Sequence, residues 1–200
     1  MKFFFLISTI ILLNSCNISS KKIDNTEQLS PYAEEISAVD TTSDNFLSPQ
    51  NSNTNVHNLN SDLACENQKI IFSFKTKKKH KTVSLITNAK EDYLIYRYGT
   101  PEHLEFQYPK IINDSSWKKF FVENYKSQSA LLIHIEFKND NWKYTIFYNE
   151  FLKSPKNNKV GIILTSPKGK HIKVDGDIKT IKGDINYFRF SPKVRRIAFK

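Results

Sequence analysis

From residue 68 onward, apolar side chains recur at every second position, and a period of two restricts the chain to β structure. Ile70, Phe72 and Phe74 alternate with Ile71, Ser73 and Lys75. Leu94, Tyr96 and Tyr98 repeat the pattern, as do Leu104, Phe106 and Tyr108. The longest runs are Leu131, Ile133, Ile135 and Phe137, then Trp142, Tyr144, Ile146 and Tyr148. Alternation of this kind turns one face to a core and the other to water, and β-branched and aromatic residues suit that surface.

The links between these runs are short and rich in turn residues. Asn139-Asp140-Asn141 joins the two longest runs, and Asn and Asp tolerate left-handed backbone. Ser166-Pro167-Lys168-Gly169 separates Ile162–Thr165 from His171–Val174, and Gly99-Thr100-Pro101 closes another run. Asp175-Gly176-Asp177 reads as a further turn rather than a calcium loop. Links this short favour antiparallel hairpins over parallel crossovers. The expected fold is therefore all-β, an antiparallel β-sandwich or meandering barrel of roughly 8 strands. Ser116 to Tyr125 fits either a helix or a broken strand.

Composition divides the chain near Asp62. Residues 17 to 63 are dominated by Ser, Thr, Asn and Asp, with Tyr32 and Phe46 as the only aromatics and with Pro31 and Pro49 as breaks. Such a segment buries too little apolar surface to offset the entropy of ordering, so a flexible tether is expected there. The tether carries two lysines, Lys21 and Lys22, against seven acidic residues, whereas residues 64 to 200 carry 27 Lys and Arg against 13 acids. The expected organisation is a leader over 1–15, a tether over 16–63 and one basic β domain over 64–200.

The leader follows from Met1-Lys2 and the uncharged run Phe3 to Leu13. Spanning a bilayer takes roughly 20 apolar residues, so this run is too short to cross but suits the apolar core of a signal peptide. Leu13-Asn14-Ser15-Cys16 follows at once and resembles a lipobox, the processing site of bacterial lipoproteins. That resemblance implies diacylglycerol on Cys16, cleavage before it, and acylation of the new amino terminus. Two or more hydrophobic signals are what stable anchoring needs, because one acyl chain holds only marginally. Asn17, where an Asp would mark inner-membrane retention, implies an outer-membrane lipoprotein facing the periplasm.

The ordered part resembles a group of small bacterial lipoproteins and exported proteins with no established activity. The resemblance is carried by Ile71-Phe72-Ser73-Phe74-Lys75-Thr76-Lys77, Tyr96-Arg97-Tyr98-Gly99, and the run Phe137 to Ile146. It implies the β fold and little about chemistry.

No catalytic constellation emerges from the residues. With Cys16 given to lipid, no disulfide framework is expected. Cys65 reads as a small hydrophobe at the start of a core, the alternative being a reactive thiol or an intermolecular disulfide. His57, His80, His103, His134 and His171 show no metal-ligand spacing, and five glycines supply no phosphate loop. No cofactor, no metal and no enzymatic activity are expected.

The basic clusters carry the physical content. Lys75, Lys77, Lys78, Lys79 and Lys81 with His80 form a run too densely charged to bury, hence a hairpin tip. Lys168, Lys170 and Lys173 form a second cluster; Lys193, Arg195 and Arg196 form a third. Clustered cations attract anionic partners and give salt-sensitive binding. The expected partner is an anionic envelope glycan or lipid head group, not nucleic acid, contacted by a non-catalytic binding or structural module. The competing view is that such lysines keep strand edges soluble. A lysozyme inhibitor is a second functional class, but Ser127-Gln128-Ser129-Ala130 lacks the Gly and Tyr of those binding loops. An enzyme with an unrecognised site is the third.

Overall fold

A computed structural model describes residues 59–198. The expected leader over 1–15, Cys16 and nearly all of the expected tether lie outside the described residues. Ten strands form: β1 Gln68–Thr76, β2 Thr82–Asn88, β3 Ile95–Gly99, β4 Leu104–Tyr108, β5 Phe121–Lys126, β6 Ala130–Asn139, β7 Trp142–Phe151, β8 Lys159–Thr165, β9 His171–Gly183 and β10 Arg195–Ile197. A four-residue helix, α1 Tyr187–Phe190, precedes the last strand. The protein is all-β, a single curled sheet shaped as a half-barrel with the order β10-β5-β6-β7-β8-β9-β1-β2-β3-β4. Neighbours are antiparallel throughout except β10, which runs parallel to β5 at the edge. The ambiguous stretch resolves into one 3₁₀ turn, Ser116–Lys119, followed by β5.

The sheet curls because its alternating apolar face has to be covered. Tyr96 and Phe106 of β3 and β4 lie 5.1 and 6.4 Å, centre to centre, from the Phe137 ring of β6. Tyr108 stacks on Phe137 at 4.3 Å, and Tyr144 of β7 stacks on it at 4.7 Å. Strands far apart in the sheet order thus share one aromatic core, which only a closing curl permits. Offset and edge-on rings of this kind add about 0.5–1.5 kcal/mol per pair beyond simple burial.

The count exceeds roughly 8 strands in part because β2 hides its period. All of Thr82–Ile86 in β2 is buried, so that strand shows no outward polar row. The cover on its second face is the segment just before β1. Leu63 and Ala64, expected at the edge of the tether, are fully buried. Ala64, Ile86 and Ile95 form a small second core there, with Ile70 packed against it. A bulge between Ile70 and Phe72 sends Ile70 to this outer side, whereas alternation placed it in the main core.

The segment before β1 is held as a strap by side chains. Ser84 Oγ donates to the Asp62 carbonyl at 2.7 Å, and Thr82 Oγ1 donates to the Ser61 carbonyl at 3.1 Å. The Asp62 carboxylate accepts from Ser73 Oγ at 3.2 Å and pairs with Lys182 at 2.7 Å. Arg97, which alternation turned to water, is 1% exposed under this strap. Its guanidinium donates to the Leu63 carbonyl at 2.6 Å, Gln68 Oε1 at 2.8 Å and Gln107 Oε1 at 2.8 Å. Burial pulls the Arg97 pKa down to about 10, so the group stays charged at neutral pH.

Two further expectations are corrected. Asp175-Gly176-Asp177 is not a turn but the middle of β9. A Cβ on Gly176 would sit 2.5 Å from the Phe74 ring, so the glycine lets that ring lie against the strand backbone. Cys65 is disulfide-bonded to a partner outside the described residues, where a small hydrophobe without an intrachain partner was the first expectation. Cys16 is the only other cysteine, so an intrachain disulfide and lipid on Cys16 are alternatives at one sulfur. By contrast, Asp140 and Asn141 form the expected two-residue turn, with φ of 47° and 65°.

Candidate functional site

Register places the two lysine hairpins at the same end of the sheet. β1 runs out at Thr76, which pairs with Gly176, and the Lys77 amide donates to the Asp175 carbonyl at 2.9 Å. β9 starts at His171, directly after the Ser166–Lys170 turn, where Lys170 N donates to Ser166 Oγ at 3.0 Å. Both turns therefore project beyond the Asp175–Gly176 level of the sheet. Lys77, Lys78 and Lys79 are exposed on the first, Lys168 and Lys170 on the second. Charge density, with nothing apolar to bury, is the local reason these residues form turns and not strand.

Two cations that sequence did not single out join this end. Lys138 and Lys143 face each other across the β6–β7 hairpin. Like charges directly opposite repel, and Lys143 is relieved by Glu136 at 3.0 Å. The sequence signal was available: the Asn139–Asn141 turn fixes 138 and 143 as cross-strand partners.

Not every expected residue serves equally. The Lys81 side chain is 14% exposed, paired with Glu105 at 2.8 Å and set over the Tyr98 ring at 5.4 Å. Burial there makes it a packing element that closes the base of the hairpin. Lys75 is exposed, and its amide donates to Thr180 Oγ1 at 2.8 Å. Lys173 pairs with Asp175 at 2.8 Å and lies over Phe147.

Arg195 and Arg196 are not brought to the lysines. They sit on the opposite edge strand β10, with β5 to β8 intervening before β9. Arg195 lies over Phe121 at 5.8 Å, and Arg196 Nη2 donates to the carbonyls of Arg189 and Ser191 at 2.8 and 3.1 Å. Lys193, beside them, donates to the Glu91 carbonyl at 2.7 Å. This cluster locks the C-terminal segment down. Glu91 also accepts from Tyr187 at 2.6 Å. That bond, offset in part by burial and aided by Lys69 and Lys193, holds the carboxyl below its usual range. Burial, then the Glu91 bond, pushes Tyr187 up to about 12.

His134 lies on the outer face, between the buried Ile133 and Ile135, with Nδ1 3.2 Å from Glu123. Among the described residues no group of three or more His, Cys, Asp or Glu is placed to hold a metal ion. Ser127 to Ala130 forms the β5–β6 turn, at the end of β6 opposite the lysines, with Ser127 Oγ accepting from the Ala130 amide at 3.1 Å. No described helix is long and apolar enough to cross a membrane. Comparison of the chain with protein-family models, with curated proteins and with solved structures gives no match.

Proposed function

We propose that the chain is a lipid-anchored module of the bacterial cell envelope whose lysine-bearing end holds an anionic glycan or lipid head group. The observation that carries this reading is the convergence of two clusters, Lys77–Lys79 and Lys168–Lys170, on one end of the sheet. They are about ninety residues apart in sequence. An anchored protein that presents such an end meets anionic surfaces at high local concentration, and each lysine near one contributes about 1 kcal/mol. The domain acts by binding in this reading, with attraction that weakens as salt rises.

Exchanging Lys77, Lys78 and Lys79 for Ser should weaken adsorption to phosphatidylglycerol vesicles by roughly 100-fold at low salt. The measurement is vesicle co-sedimentation, with Cys16→Ala in the background so that no lipid on that residue contributes. The thermal midpoint should hold, because exposed turn substitutions cost within about 0.5 kcal/mol. Unchanged adsorption removes the lysine end as the binding surface.

The anchor is tested separately. Cys16→Ala should move the protein out of the membrane fraction; a variant that stays there with its leader uncut gives the anchor to the apolar run instead. Intact mass of the membrane-extracted protein should show a diacylglyceryl adduct on Cys16. If the mass shows no adduct and rises only by two hydrogens on treatment with a thiol reductant, Cys16 is bonded to Cys65 and the anchor reading fails.

A further inference from the structure

The outer face of β5 to β9 carries a separate arrangement, a shallow depression of about 400 Å³ in which opposite charges stand at opposite sides. One row of the sheet runs Glu136, Thr145, Ile163, Lys173 across β6, β7, β8 and β9. The acidic side is Glu136, backed by the Glu123–His134 pair. Its side chain is only 14% exposed, so a cation reaching it leaves most of its water behind. Lys143 Nζ and Thr145 Oγ1 both donate to Oε1, at 3.0 and 3.1 Å. Oε2 has no such bond among the described residues.

The basic side is formed by His171 and Lys173 on β9. The Thr165 hydroxyl lies 3.0 Å from His171 Nδ1. When it donates there, Nε2 carries the ring proton and remains a donor. Lys173 is ion-paired with Asp175 at 2.8 Å, and its ammonium carries three hydrogens from which a further acceptor can be met. Between the poles the lining is uncharged, made of Thr145, Ile163 and Thr165.

We propose that this depression binds a short peptide with both ends free, its ammonium group at Glu136 Oε2 and its carboxylate at His171 and Lys173. Spacing selects the class. The two poles stand three strand separations apart, about 14 Å between backbones. An extended chain advances about 3.3 Å per residue, so three or four residues bridge the gap. A zwitterion such as phosphoethanolamine, with two carbons between its charged groups, is too short to engage both. The Lys143 ammonium beside Glu136 sets a limit on the ammonium pole: the incoming group uses the second carboxylate oxygen and does not displace that pair. The site adjoins the lysine-bearing end and shares Lys143 and Lys173 with it; Glu136 and the capped peptides distinguish the two, because the anionic-surface reading makes no use of an ammonium pole.

The test is a titration of the full chain with tetraalanine at low salt, followed by calorimetry and by amide chemical shifts. Saturable binding is expected, with shifts centred on Glu136, Ile163 and His171. N-acetyl-tetraalanine and tetraalanine amide should each bind at least tenfold more weakly, because each loses one charge-assisted contact. Glu136→Gln should remove the penalty of N-acetylation, and Lys173→Gln should lessen that of amidation. Absence of saturable binding overturns the proposal, as does equal affinity for the capped peptides. Shifts confined to Lys77–Lys79 or Lys168–Lys170 overturn it too. The capped peptides act on the unaltered chain, so the result stands even if Glu136→Gln fails to fold.

Discussion

Phe137→Ala is expected to destabilise the fold by about 3–5 kcal/mol, the range for removing a buried phenylalanine. The ring is fully buried. It touches Tyr96, Phe106, Tyr108, Phe120 and Tyr144, with centroids between 4.3 and 6.4 Å away. Those partners come from β3, β4, the link before β5, and β7. No single neighbour can move into the space without giving up contacts of its own, so the cavity persists. Domains of this size hold about 5–15 kcal/mol in total, so the loss is a large fraction of it. In thermal unfolding followed by circular dichroism the midpoint should drop by roughly 15 °C. Phe190→Ala serves as the reference, since that ring is 72% exposed and its loss should cost less than about 0.5 kcal/mol. Equal shifts in the two variants would place the closure of the half-barrel somewhere other than this aromatic cluster.

Arg97→Ala should cost about 2–4 kcal/mol, for a different reason. Nothing acidic is hydrogen-bonded to Arg97 among the bonds that hold it; its acceptors are the Leu63 carbonyl, the side chains of Gln68 and Gln107 and, at 4.0 Å, the Cys65 sulfur. Truncation takes the donor from the buried Leu63 carbonyl and from Gln107 Oε1, while Gln68 Oε1 keeps the Cys65 amide, and it opens a void under the strap. Arg97→Lys should restore little, because a single ammonium cannot reach Gln107 on one side and Leu63 with Gln68 on the other. The local readout separates this from a general core defect. Amide exchange at Leu63 and Ala64 should rise well above that at Ile133 and Ile135, and proteolysis should begin within residues 59–66. Uniform loss of protection across both regions would show that Arg97 supports the sheet as a whole and not the strap.

The comparison of these two residues explains what could be read in advance. Phe137 sits in an unbroken alternation, and its burial follows from period alone. Arg97 sits in an equally clear alternation between Tyr96 and Tyr98, yet the same rule sends it to water. The rule assumes a sheet with one wet face. Over β1 to β3 that assumption fails, because Leu59 to Gln68 covers the second face. β2 was hard to find for the same cause, and Gly176 was read as a turn because a glycine inside a strand looks like a break until the Phe74 ring is placed against it.

The lysine turns were legible because density of charge excludes burial whatever the fold. Their convergence was not, since it depends on β1 pairing with β9 across a hundred residues. The third cluster, with Arg195 and Arg196, lies apart from them on the far edge strand, and residue type alone does not decide which edge of the sheet a strand joins. The polarised depression on β5 to β9 is further from the sequence still, because it needs the register of five strands at once.

What the sequence determined by itself is therefore local: β structure from the period of two, the Asp140–Asn141 turn from residue type, and exposed hairpin tips from lysine density. Each is fixed by interactions within a few residues. The curl, the second covered face and the meeting of charges were decided only by the tertiary structure. Burial is a property of surfaces that meet, and which surfaces meet is set by long-range strand pairing.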